Sequence, residues 1–221
     1  MTIVTMREDL RGLASLQGPF PTFDPDAAPD APLPLFLDWL GAALKAGIAE
    51  AHAMTLSTVD QDGHPDARVL ILKNVDEDGW HFATTRTGPK GRQIFSNPHV
   101  AMTFYWQPLG RQVRIRGIGF DVGAAARDED FRARTFEARA RGLIGRQSEV
   151  LPDESLLDAG VVEQTARLKD DPRLVPANWG VYAVRASEIE FWQAREDRLH
   201  TRLRYRQAGE SGRWVRERLW P

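Results

Sequence analysis

The chain contains no cysteine. That single absence excludes disulfide frameworks, thiolate zinc sites, iron–sulfur clusters and cysteine nucleophiles, and it fits a reducing compartment. Lysine is nearly as scarce, with Lys45, Lys73, Lys90 and Lys169 the only four among 29 basic residues. Long apolar runs are missing as well. The longest aliphatic stretch, Val69 to Leu72, is far shorter than the roughly 20 residues a membrane span needs. Arg7, Glu8, Asp9 and Arg11 interrupt the first residues, so neither a secretory signal nor a transit peptide is expected, and a cytoplasmic protein with no membrane partner is. The GxGxxG and Gly-x-Ser-x-Gly patterns are absent. His52, His64, His81, His99 and His200 form no pair at ligand spacing, so no metal site is expected.

What is present suits one globular body of 221 residues, 42% hydrophobic and 27% charged. Its net charge of -2 averages two opposites. Residues 1–66 carry three basic and ten acidic side chains, whereas residues 195–221 carry eight arginines against four acids. Six of fourteen prolines fall within residues 17–34, among Asp24, Asp26 and Asp30. This composition reads as an extended N-terminal arm, residues 1–32, ahead of a single domain at 33–221.

Leu33, Phe36, Leu37, Leu40, Leu44 and Ile48 recur at helical spacing and predict an amphipathic helix over Leu33–Glu50. Strand patterns follow at Met54–Val59, Arg68–Lys73 and Trp80–Thr84, separated by turns at Asp60–Gly63 and Asn74–Gly79. A short helix at Gly88–Ser96 precedes strands at Val100–Trp106 and Gln112–Asp121, then helices at Arg127–Ala138 and Ser155–Leu168. Strands return at Trp179–Val184, Glu188–Trp192, Leu199–Tyr205 and Trp214–Leu219. Short strands joined by hairpin-length loops, with helices inserted, predict an α+β fold built on a small antiparallel barrel with peripheral helices.

Two groups of cations could bind an anion. On a strand covering Arg198–Arg206, alternation places Arg198, His200, Arg202, Arg204 and Arg206 on one face. That face is either an anion-binding surface or a solvated barrel exterior; a nucleic-acid track ranks last, because the flanking Trp192 and Trp214 serve equally well as core residues. The second group is Arg68 and Lys73, bracketing an apolar strand, with Lys90 in Gly88-Pro89-Lys90-Gly91-Arg92 at a helix start, where backbone amides favour phosphate. It is no Walker motif, because its spacing and following hydroxyl are lacking.

Taken together, Arg68-Val69-Leu70-Ile71-Leu72-Lys73, Phe104-Tyr105-Trp106 with Arg111-Gln112-Val113, Arg146-Gln147-Ser148, and Phe191-Trp192-Gln193 with Arg198-Leu199-His200 and Arg202 resemble the pyridoxamine 5'-phosphate oxidase family. The resemblance runs from about Leu33 to Pro221. It implies an antiparallel split β-barrel, dimeric, with FMN at the subunit interface and no nucleic-acid partner. By position it assigns the cofactor to Arg68, Val69, Leu70, Ile71, Leu72, Lys73, Ala83, Thr84, Lys90, Gln112, Gln147, Ser148, Trp192 and Arg202. It assigns a phosphorylated or anionic aromatic substrate to Lys73, Arg139, Arg198 and His200, with Arg198 and His200 catalytic. The implied reaction is hydride transfer from substrate to flavin N5 with reoxidation by dioxygen, in pyridoxal phosphate biosynthesis. The alternatives are a different aromatic substrate, of the phenazine-pathway type, or a flavin-binding protein without turnover. The substrate half departs from the family: Thr135 aligns with a usual tyrosine, the Arg141-Gly142-Leu143-Ile144 stretch lacks the serine usual a few residues after Arg139, and Thr201 replaces an aspartate.

Overall fold

The computed structural model describes residues 6–209 and 212–221. In chain order the elements are α1 (Arg7–Gly12), α2 (Pro32–Lys45), β1 (Ala53–Val59), β2 (Pro65–Ile71), β3 (Asn74–Asp76), β4 (Gly79–Thr85), α3 (Pro89–Ser96), β5 (His99–Trp106) and β6 (Arg111–Asp121). Then come α4 (Ala124–Ala133), α5 (Phe136–Ile144), α6 (Glu154–Asp170), β7 (Trp179–Gln193), β8 (Thr201–Ala208) and β9 (Arg213–Arg218). The class is the expected α+β, with hairpin-connected antiparallel strands and interposed helices. No helix among the described residues is long and apolar enough to cross a membrane. Contacts divide the chain into two compact units, and β5, β6 and β7 contribute residues to both.

The first unit comprises Met1–Ala51, Phe104–Arg114 and Glu188–Pro221. Its core is aromatic. Phe36 meets Phe104 edge-on at 5.1 Å, Trp39 meets Phe191 at 5.2 Å, and Phe191 meets Tyr205 at 5.8 Å. α2 therefore buries Pro32, Leu35, Phe36, Trp39 and Ala43, while Leu37 and Leu44 face outward. Of the expected stripe Leu33, Phe36, Leu37, Leu40, Leu44 and Ile48, Phe36 is buried as expected, while the indole of Trp39, which carries more apolar area than any leucine, rotates the buried face away from Leu37 and Leu44. The helix also stops at Lys45, short of the expected Glu50, because Gly47 turns the chain at φ 68°. Tyr205 Oη donates to the Pro29 carbonyl at 2.7 Å and ties the proline-rich segment to this unit. β7 pairs antiparallel with β8, and β8 with β9.

The second unit comprises His52–Thr103 and Ile115–Ser187. Its sheet runs β2-β1-β5-β6-β7-β4-β3, which leaves β2 at an edge. Met54, Leu56 and Thr58 point inward from β1 in strict alternation. The helix expected over Arg127–Ala138 is two helices. Arg134 is extended, and the Thr135 hydroxyl caps α5 by accepting the Ala138 N–H at 3.3 Å, an alternative to continuing the helix. Likewise the expected strands Trp179–Val184 and Glu188–Trp192 are one strand, β7, carried through the polar Arg185-Ala186-Ser187. Asn74–Asp76, expected as turn, forms a short strand on β4.

Candidate functional site

In the second unit the cations cluster around the start of α3. Edge strand β2 presents Arg68, whose Nη1 donates to Thr58 Oγ1 at 2.6 Å and whose Nη2 pairs with Asp66 and reaches Gln93 Oε1 at 3.3 Å. These partners lock the guanidinium before any ligand arrives. Downstream of it Val69 is 66% exposed. An unpaired edge carrying an exposed apolar side chain is open to a flat aromatic ligand. Pro89 opens α3, its fixed φ suiting the first helical turn, and this places Lys90 against Gln147. Lys90 is only 6% exposed, its Nζ donates to Gln147 Oε1 at 2.8 Å, and no carboxylate pairs with it among the described residues. Burial, and then the charge of Arg68, hold its pKa below the usual lysine value. Gln147 Oε1 also accepts from Thr85 Oγ1 at 3.0 Å. Ser148 follows at φ 66°. On β4, Ala83 is half-buried, and the buried Thr84 hydroxyl has no hydrogen-bond partner.

This arrangement fits a phosphate-bearing cofactor. A buried ammonium with one neutral partner and an orphaned hydroxyl are groups whose desolvation goes uncompensated until an anion with several acceptors binds, and Arg68, held by Asp66 and Thr58, adds a preset guanidinium. The same unit holds a cavity of about 570 Å³ lined by Thr85, Gln147, Arg134, Arg141 and Trp179 among others.

The substrate residues expected in this unit are already engaged. Lys73 Nζ lies 3.4 Å from Asp130 Oδ1, and Asp130 Oδ2 accepts from Trp179 Nε1 at 2.9 Å. Arg139 is 9% exposed, and its Nη2 donates to the carbonyls of Pro172 and Leu174.

In the first unit the remaining candidates gather at the end of β7. Trp192 and His200 rings lie 4.7 Å apart. His200 Nδ1 accepts the Arg195 N–H at 3.2 Å, which leaves the ring proton on Nε2, and burial followed by the Arg198 charge lowers its pKa. The imidazole is therefore neutral at pH 7. Arg198 lies in the turn before β8 at φ 62°, closed by its N–H to the Arg195 carbonyl. The expected five-cation strand face is corrected accordingly. β8 begins only at Thr201, so Arg198 and His200 leave the face, and Asp197 instead organises their loop by accepting the Leu199 N–H. The three arginines that stay are neutralised: Arg202 by Glu190 at 2.8 Å, Arg204 by Glu217 at 2.6 Å and Glu188 at 3.6 Å, and Arg206 by Glu217 at 3.2 Å. Arg202 Nη1 also donates to the Trp220 carbonyl. Gln112 is half-buried on β6.

Thr58, Gln93, Asp66, Asp130 and Glu190 went unread in the sequence. Thr58 alone carried a signal, a hydroxyl at an inward position of an alternating strand. Asp60, Asp62 and His64 also group, within 4.8 Å of one another. They do so because Asp60 accepts the N–H groups of both others in an exposed turn.

A family model described as pyridoxamine 5'-phosphate oxidase matches residues 40–166, and one described as the pyridoxine 5'-phosphate oxidase C-terminal dimerisation region matches 179–221. A pyridoxine/pyridoxamine 5'-phosphate oxidase of Pseudomonas paraeruginosa is 43% identical over 196 residues, covering 88% of this chain and 90% of the relative. One from Salinibacter ruber is 40% identical, with 89% and 92% covered. Among solved structures, PhzG of Burkholderia lata, in complex with tetrahydrophenazine-1-carboxylic acid, superposes with a TM-score of 0.86 at 30% identity, covering 92% of this chain and all of that one.

Proposed function

Because the chain belongs to the pyridoxamine 5'-phosphate oxidase family, we propose that it is an FMN-dependent oxidase acting on an amine- or alcohol-bearing carbon of a pyridoxine-like aromatic ring. The observation that carries this reading is Lys90, a buried cation that forms no ion pair among the described residues, beside Arg68, whose partner Asp66 reaches Lys90 only at longer range. Arg68, Lys90 and the first amides of α3 would hold the FMN phosphate, with Thr84, Gln147 and Ser148 adding hydrogen bonds and Val69 to Leu72 lying along the ring. The family resemblance assigns Gln112, Trp192 and Arg202 to the cofactor as well, some of these contacts being supplied by the partner chain of the dimer. When bound, FMN supplies a hydride acceptor at N5 and passes the electrons to dioxygen, giving peroxide.

The chain's own contribution is positioning. His200, neutral and protonated at Nε2, donates to the substrate ring while its other nitrogen is held by the Arg195 amide. Arg198 adds a cation next to it, on a turn whose backbone geometry is fixed by Asp197 and Arg195. The match of residues 179–221 to a dimerisation region supports a homodimer with FMN at its interface.

The test is direct. Purified protein should be yellow or take up FMN on reconstitution, and anaerobic mixing with pyridoxamine or its 5'-phosphate should bleach the flavin. A colourless protein that takes up no FMN would overturn the reading. A yellow protein that neither compound bleaches would leave a flavin carrier without this turnover.

A further inference from the structure

In the oxidase reading the ring-borne amine or alcohol is the reacting part of the substrate, and the family resemblance assigns the charged group elsewhere on that ring to Lys73. Here the chain has placed an anion of its own. Asp130 is 15% exposed in its side chain and Lys73 39%, with 3.4 Å between ammonium and carboxylate. The carboxylate is not a loose surface partner. Its second oxygen accepts from Trp179 Nε1, whose ring packs edge-on against Phe131 at 5.5 Å and carries the Arg134 guanidinium 4.5 Å from its centroid. Asp130 is therefore fixed from both sides, on a helix anchored by the fully buried Phe131 next to it.

Resting on the oxidase reading above, we propose that Asp130 is a specificity-determining residue that occupies Lys73 in advance, so that the preferred substrate presents at this corner an uncharged hydrogen-bonding group, such as a hydroxymethyl, in place of a phosphate dianion. A dianion would have to draw Lys73 away and then face a carboxylate that Trp179 and the α4 packing keep from retreating. Like charges at such a distance repel strongly where water is partly excluded. Arg139 is turned toward the Pro172 and Leu174 carbonyls, which hold its Nη2, and so leaves the charge at this corner to Lys73. A hydroxyl has no such conflict, because it can donate to Asp130 and accept from Lys73 together.

The test is calorimetric titration of the flavin-loaded protein with pyridoxal and with pyridoxal 5'-phosphate, in wild type and Asp130→Asn. Asparagine keeps an acceptor for Trp179 Nε1 while removing the charge. Wild type should favour the phosphorylated ligand by no more than about threefold, and Asp130→Asn should bind it about tenfold or more tighter while pyridoxal changes by less than about threefold. The ratio of kcat/KM for pyridoxamine 5'-phosphate over pyridoxamine should rise in parallel. Wild-type preference for the phosphate of about tenfold or more, or an unchanged ratio in Asp130→Asn, overturns the proposal. Should that variant fail to fold, Lys73→Met decides. Unaltered pyridoxal 5'-phosphate affinity supports the proposal, and a loss of about tenfold overturns it. Failure to take up FMN would overturn the oxidase reading instead, and the two ligand affinities on flavin-free protein would still judge Asp130.

Discussion

Lys90→Met separates a ligand-binding cation from a structural one. Lys90 makes one hydrogen bond, to Gln147 Oε1 at 2.8 Å, and that oxygen keeps a second donor in Thr85 Oγ1 at 3.0 Å. Two opposing effects act on the free protein. The substitution deletes a hydrogen bond from a charged donor, a loss of about 1.5–3 kcal/mol, but it also removes a buried charge held next to Arg68, whose burial cost is of similar size. Net stability should stay within about 1 kcal/mol of wild type, so the melting temperature moves by no more than about 2–4 °C for a chain of this size. Nothing offsets the change on the bound side. Loss of a charge-assisted bond to the FMN phosphate, about 1.5–3 kcal/mol, raises Kd by about 10- to 150-fold. Quenching of flavin fluorescence on titration gives Kd, and thermal unfolding of the flavin-free protein gives the stability. The affinity of wild type should also weaken as pH rises toward a Lys90 pKa that lies below 10.5, because only the ammonium binds phosphate. Kd within about twofold of wild type together with a melting point lower by more than about 5 °C would refute the reasoning and make Lys90 a packing residue.

Three further substitutions probe the first unit. Arg202→Ala leaves Glu190, 5% exposed, with Arg114 at 3.3 Å and the more distant Arg204 charge, so it should cost about 1–3 kcal/mol of stability as well as FMN retention; Arg202→Ala with Glu190→Gln should recover the melting temperature but not the flavin. His200→Ala should leave FMN affinity unchanged and lower turnover by about 10²-fold. The histidine's folded pKa is depressed below 6.5, so its stabilising neutral form is complete above that value and is lost as pH falls through the folded pKa. The acid limb of kcat/KM should accordingly lie below pH 6.5 in wild type and vanish in His200→Gln. Tyr205→Phe removes the bond to the Pro29 carbonyl and should lower the melting temperature by about 2–4 °C, read by thermal unfolding, with no change in flavin affinity.

Which features were legible follows from the range over which each is determined. Period-two alternation is local, so β1, β4, β5 and β6 were placed to within a residue or two. The errors fall where a distant contact overrides a local pattern. Trp39 turned the buried face of α2 because Phe191 and Phe23 lie around its ring. Thr135 split a continuous helical pattern by capping, which apolar periodicity does not register. The polar Arg185-Ala186-Ser187 lacked a strand signal, yet β7 runs through it, with Ser187 Oγ donating to the Arg116 carbonyl. The same logic governs the site. Arg68, Lys73 and Lys90 stood out as cations in a lysine-poor chain, but their partners Thr58, Asp130 and Gln147 lie 10, 57 and 57 residues away. Such pairings have no sequence period to reveal them.

Charge counting by segment left residues 195–221, where arginines outnumber acids, open as either an anion site or a solvated face, and the structure argues for a different criterion. The β8 arginines are matched by Glu188, Glu190 and Glu217, so local excess is not availability. Burial without an anion is more informative. Among the described residues, Lys90, Arg111 and Arg139 are each less than a tenth exposed and have no carboxylate partner. The two arginines find partners by means a planar fork permits, although the buried Nε of Arg139 keeps none. Arg111 Nε donates to Gln193 Oε1 at 2.9 Å with its plane over Trp39 at 4.4 Å, and Arg139 donates to two carbonyls near the Phe131 ring. Lys90 has neither a ring nor a carbonyl, only one amide oxygen for an ammonium with three donors. An arriving phosphate supplies the acceptors this ammonium still lacks, and this is why the flavin reading turns on Lys90 together with its neighbour Arg68 and not on the carboxylate-matched arginines of β8.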